Sequence, residues 1–351
     1  SLVIQNDIPD THYNLGISLT ATEAYDASLE SYKMALSLKP NYTQVYNNIG
    51  VLKAHLGHPK EAVASYKKAL ELEPMQPEVL LNLGATHWSL GAHDQAMKCF
   101  KKCIKIDKSF TDAHNALGEC LYDQGQYAKA TLHFDKVDTA TASAKALECD
   151  FFAQDYRKFD NRLSMMVKKE PHNIRAAALS AFAAQQRNKA DPYPFCKDPL
   201  DLVSINNMDN FVTDVQGFLD KILAELNDIT AAWEPDGKTT KVGFQSTAHL
   251  FEKPSETLKA LLEIIEKALL QFKDRLDLKA GEILNNWPES RKVSGWYVRL
   301  LQSGHQDSHI HPSGWVSGVI YLKTIKSPTK NEGAIKFSLE GYNYQKIQDY
   351  V

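Results

Sequence analysis

No apolar run in this chain of 351 residues approaches the length that crosses a bilayer, and no basic-then-apolar leader opens it. Charge of one sign is also missing. Forty basic residues against 43 acidic ones leave a formal charge of −3, which argues against a general binder of nucleic acid or of a membrane surface. Cysteine is sparse. Cys99, Cys103, Cys120, Cys149 and Cys196 form no Cys-x-x-Cys pair, and an odd count excludes a complete disulfide framework. Reduced, buried thiols are expected, and with them a cytoplasmic or nuclear setting. Zinc held by Cys99 and Cys103 is the sharper alternative. The first residue is Ser1 and not Met, so the natural N-terminus is expected to lie elsewhere. The rest is ordinary globular composition, 43% hydrophobic and 24% charged, at a length that suits two domains.

Internal repetition is what the sequence does have. Gly16, Gly50, Gly84 and Gly118 recur every 34 residues. Ser28, Ala62, Ala96 and Ala130 keep the same interval, as do Tyr32, Tyr66, Phe100 and Phe134. Each unit reads as two antiparallel helices. The glycine allows close approach of the first helix to the second, the small residue packs between units, and the aromatic fills the space. Pro40 and Pro74 end second helices because proline cannot donate the next helical hydrogen bond. Gly57, Gly91 and Gly125 fall in the turns within units. These positions resemble the tetratricopeptide repeat, which implies a superhelical solenoid with a groove lined by first helices. Asn14, Asn48 and Asn82 share one place in three first helices; the fourth has Ala116. An amide side chain can pair with both the N–H and the C=O of an extended peptide. The series resembles the asparagine ladder of O-GlcNAc transferase repeats, and peptide binding is one expectation. The other is that these amides tie neighbouring helices together. His87, Trp88 and His114 are expected to pack, not to ligate.

The register fades from Ala140. Helices are still expected over 142–152, 156–169 and 174–186. The expected division is repeats over 1–143, a degenerate helical cap over 144–190, a proline-rich boundary from Asp191, and a further domain over 191–351. Helical spacing marks 211–227 and 258–272, and strands are expected from about Ile283. Helices first and strands later suggest an α+β domain.

The densest chemistry lies between Gly304 and Leu322. His305, Asp307, His309 and His311 crowd into seven residues, between strand-forming runs at 296–301 and 315–322. On extended chain, alternate side chains share a face, so an i, i+2 pair can converge on one ion. Two imidazoles and a third donor on one face of a metal are the pattern of a non-haem iron site. Both His305-x-Asp307 and His309-x-His311 have this form. The run His309-x-His311-Pro312, then Gly314-Trp315, Ser317-Gly318-Val319-x-Tyr321 and Gly333-x-Ile335-x-Phe337 resembles the 2-oxoglutarate-Fe(II) oxygenases found fused to tetratricopeptide repeats. Tyr193-Pro194-Phe195-Cys196 and Gly243-Phe244-Gln245 extend the likeness over most of 192–344.

That resemblance implies a double-stranded β-helix, or jelly roll, with Fe(II) as metal and 2-oxoglutarate as co-substrate. It favours His309 and His311 as ligands over His305 and Asp307. It implies hydroxylation of a protein or peptide brought by the repeats; the balanced charge adds the expectation of no nucleic acid or membrane as partner. A third ligand and a basic residue for 2-oxoglutarate are expected on later strands. No histidine follows His311, so the domain is expected to be incomplete at its C-terminal end. Tyr297, Arg299 and Tyr321 are candidates for contacting the co-substrate. A scaffold with a degenerate jelly roll is the rival reading. A glycosyltransferase, suggested only by the asparagine ladder, has no nucleotide-sugar motif behind it.

Overall fold

The computed structural model describes residues 8–193, 195–196, 202–235, 238–247, 249–276, 282–307, 309, 311 and 314–324. The chain divides into two compact units, 1–155 and 156–351. Among the described residues no helix is long and apolar enough to cross a membrane.

The first unit is all-helical. Four helix pairs succeed one another: α1 (Pro9–Ala21) with α2 (Tyr25–Leu38), α3 (Thr43–His55) with α4 (Pro59–Leu72), α5 (Pro77–Ser89) with α6 (His93–Ile106), and α7 (Thr111–Asp123) with α8 (Tyr127–Phe134). α9 (Ala140–Phe152) closes the unit against α8. The repeat positions do what their spacing predicts. Tyr32, Tyr66 and Phe100 are each 2% exposed and Phe134 1%, which places all four aromatics in the core. Burying one such ring contributes roughly 1.5–3 kcal/mol. Each ring lies over the glycine sixteen residues earlier: a Cβ on Gly50 or Gly84 would come 2.5 Å from the ring of Tyr66 or Phe100. The turn glycines Gly57, Gly91 and Gly125 all have positive φ, of 78°, 72° and 70°. In the first repeat Glu23 holds this place, with φ of 61°.

The second unit opens with α10 (Tyr156–Lys169) and α11 (Ile174–Gln186), at the expected bounds. Arg187 clamps Asp160 with two hydrogen bonds of 2.5 and 2.7 Å and stacks over Tyr156. α12 (Val215–Asn227) and α13 (Glu256–Arg275) bury Ile222, Leu226, Leu258 and Leu261 together with Phe218, Phe251 and Tyr297.

Strands do not begin at Ile283, which lies in a short helix, α14 (Glu282–Asn285). They begin at β1 (Ala231–Trp233), followed by β2 (Thr240–Ser246) and β3 (Val298–Gln306), in an antiparallel sheet of order β1-β2-β3. The strand expected over 296–301 is β3, running five residues further than expected, to Gln306. The run 315–322 forms no strand among the described residues; Leu322 instead packs into the α12–α13 core. The β2–β3 register slips at Val242, which adopts φ of 50° and donates its backbone N–H to the Glu234 carboxylate at 2.6 Å. A β-branched residue in that region is strained, and such bulges bend a strand and increase its twist. The residues quoted from Gly333 to Phe337 lie outside the described ones.

A candidate metal centre beyond strand β3

β3 carries Arg299 and His305, and the chain leaves it at Gln306. His305 and Asp307 are exposed and engage each other, with imidazole Nε2 3.4 Å from a carboxylate oxygen. Two residues on, the arrangement changes. His309 Nδ1 lies 2.7 Å from the Asp307 backbone carbonyl. A carbonyl only accepts, so Nδ1 carries the hydrogen and the neutral ring presents a bare Nε2. An imidazole whose second nitrogen donates to a carbonyl is oriented as metal-ligating histidines are. The His311 ring meets that of His309 edge to face, with centroids 4.7 Å apart, and on another side meets Trp296 at 5.5 Å. Burial, and secondarily the proximity of His309, lower the His311 pKa below the ordinary imidazole value and favour the neutral, lone-pair form.

The chemistry of this donor set fits part of an iron site: two adjacent imidazoles, His309 held through Nδ1 and His311 in a setting that disfavours its charge. Among the described residues no three histidines, cysteines or carboxylates converge on one point, so a third donor is not among them. Tyr297 donates its hydroxyl to the Ile229 carbonyl at 2.9 Å and packs in the α12–α13 core. Arg299 is exposed and stacks 4.7 Å over Phe244. Tyr321 is 52% exposed. Among the described residues no hydrogen bond, ion pair or ring contact joins these three to His309 or His311. Trp296 is the neighbour that spacing could not flag, since its ring reaches His311 across fifteen residues of chain.

In the repeats, Asn82 Nδ2 donates to Asn47 Oδ1 at 3.1 Å and Asn48 Nδ2 to the Tyr13 hydroxyl at 3.5 Å, while Asn14 is exposed. The amides of Asn48 and Asn82 therefore bind the preceding first helix through their N–H groups. His87 and His114 are buried, as expected of packing residues; His114 bonds His133 at 3.0 Å. Cys99 and Cys103 lie in α6, where burial raises both thiols, Cys103 to about 11.

Two family models for the repeat match, one described as TPR repeat over residues 55–91 and one as Tetratricopeptide repeat over 77–110. A third, described as "Putative 2OG-Fe(II) oxygenase", matches 294–348. No curated protein matches the chain. Similar solved structures include PilF of Pseudomonas aeruginosa, at 19% identity over 52% of this chain and 85% of that one, TM-score 0.44. YrrB, described as a TPR protein with an unusual peptide-binding site, is 21% identical over 51% of this chain and 94% of its own, TM-score 0.43. The chain thus joins tetratricopeptide repeats, matched over 55–110, to a segment matching the 2-oxoglutarate-Fe(II) oxygenase family over 294–348.

Proposed function

We propose that the protein is a 2-oxoglutarate- and Fe(II)-dependent hydroxylase acting on a protein or peptide recruited by its repeat groove. The division proposed is repeats over 1–143, a helical cap over 144–190 and an oxygenase domain over 191–351 whose sheet is part of a jelly roll. The observation that carries the chemistry is the His309–His311 pair: His309 held by its Nδ1–H on the Asp307 carbonyl, and His311 beside it in a partly dehydrated setting. His309 and His311 would hold the metal. Asp307 and His305, already engaged with each other, stay outside it. When bound, Fe(II) would activate dioxygen, the oxidant, with 2-oxoglutarate as co-reductant, one oxygen atom entering a C–H bond of the substrate and the other the succinate formed with release of CO2. The protein's own part is orientation and exclusion of water: the Asp307 carbonyl fixes one ring and Trp296 covers the other. Arg299 and Tyr321 remain the side chains proposed to meet the co-substrate. Tyr297 is proposed with them only through its backbone neighbourhood, since its hydroxyl is already bonded. In the groove, Asn14, Asn48 and Asn82 would offer their Oδ1 atoms to an extended peptide. The buried thiols suit a reducing cytoplasmic or nuclear compartment.

Two neutral imidazoles leave the double charge of Fe(II) uncompensated. Anaerobic calorimetry should therefore show 2-oxoglutarate tightening Fe(II) binding by about tenfold or more. Affinity indifferent to 2-oxoglutarate, or no Fe(II) binding at all, would favour the scaffold.

A further inference from the structure

The repeat groove carries a charge pattern that identifies the chemistry of its occupant, an inference that rests on the peptide-binding role proposed for the groove. Contacts run from α1 to α3, α3 to α5 and α5 to α7, and are closer than those between the second helices of successive units. The first helices therefore line the inner side. They carry Asp10, Glu78, Asp112, Glu119 and Asp123 against a single cation, Lys53. The second helices carry the reverse: nine lysines against five acids. Lys53 is itself neutralised by Glu61 on α4, at 2.9 Å.

The acids gather at the fourth-unit end. Glu119 and Asp123 stand one turn apart on α7, and Lys145 from α9 forms its ion pair with Glu119. Asp112 and Asp123 have no ion-pair partner among the described residues. Burial, and then the charge of Glu119, raise the Asp123 carboxyl above the usual aspartate range against the opposing charges of Lys145 and His93, so a further cation beside it would favour its charged form. At the place of Glu119 the earlier units carry Ile17, Val51 and Ala85, with Ile17 41% and Val51 43% exposed. Apolar surface at one end and, at the other, three carboxylates against the single cation Lys145 ask for an occupant graded in the same way.

We propose that the groove binds an extended segment of a partner protein that is aliphatic at one end and rich in lysine or arginine at the other, the basic end lying against Asp112, Glu119 and Asp123. The test uses two labelled short peptides, one of leucine, serine and lysine and its counterpart with glutamate for lysine, titrated into the full chain. The lysine peptide should bind about tenfold tighter at low salt, with the difference closing at about 1 M salt, where the screening length falls to roughly 3 Å. Glu119→Gln with Asp123→Asn should reduce that preference in a chain that a melting curve shows to be still folded, and Lys145→Gln should increase it. Lys98→Gln with Lys102→Gln, on a second helix, should leave it unchanged. Equal affinities, a glutamate preference, or a lysine preference that the α7 variant does not move would overturn the proposal. Binding of both peptides with equal affinity, weakened by changing Asn14, Asn48 and Asn82 to alanine, would sink the charge inference alone. Failure of both peptides to bind would remove the groove's peptide-binding role with it.

Discussion

At the scale of the residue, one backbone position tests the repeat assignment cleanly. Gly57, Gly91 and Gly125 occupy left-handed turns with open space where a Cβ would be, and Glu23 is forced into the same conformation at φ of 61°. Glu23→Gly should therefore stabilise the protein by about 0.5–1 kcal/mol, the left-handed cost of roughly 1–2 kcal/mol less the entropy of glycine. Gly84→Ala should do the opposite, by about 2–3 kcal/mol, because its Cβ would meet the Phe100 ring. Urea midpoints of the two variants moving in the same direction would contradict this. The packing behind Gly84 is legible in the interval of 34 residues, since glycine, small residue and aromatic recur where they must pack. The strain at Glu23 is not, because a residue that breaks the glycine pattern reads as noise until its φ is known.

At the scale of the element, the α7–α8 pair has a pH dependence of known sign. His114 Nε2 lies 3.1 Å from the Lys108 carbonyl and must carry a hydrogen, so in the neutral pair His114 Nδ1 accepts from His133 Nδ1. The His133 pKa is lowered, first by burial and then by His114 and by Lys101 on α6. A lowered folded value means that the unfolded chain takes up this proton first as pH falls below about 6.5. Stability from this site is complete above that pH and declines beneath it, down to the folded value. The urea midpoint should fall between pH 7.5 and 5.5, and fall less in His133→Gln. A wild-type midpoint that rises over this interval would refute the assignment. Among the strands, sequence and structure part ways for a physical reason. β-branched and aromatic residues fit any half-buried extended surface, so 315–322 reads as strand by composition, yet Leu322 packs onto α12 and α13. β1 and β2 leave little trace in the sequence, because Ala231–Trp233 is too short to show alternation and the Val242 bulge disrupts the period of β2.

At the scale of the whole molecule, the two halves differ in how much their sequences disclose. The solenoid depends on contacts between neighbours along the chain, so its period is its structure. The candidate site lies past the end of a short sheet with an irregular register, beside Trp296, and none of these has a period. The motif locates His309 and His311; their separation from the His305–Asp307 pair rests on a carbonyl contact that no motif encodes. Metal affinity tests that separation without reference to turnover. Anaerobic Fe(II) titrations with saturating 2-oxoglutarate, on wild type and on His309→Ala, His311→Ala and Asp307→Ala, should show each histidine variant weakened by about tenfold or more. Asp307→Ala should stay near wild type, since its backbone carbonyl still orients His309. Loss of Fe(II) binding in Asp307→Ala, with normal binding in His311→Ala, would contradict the assignment of the metal pair.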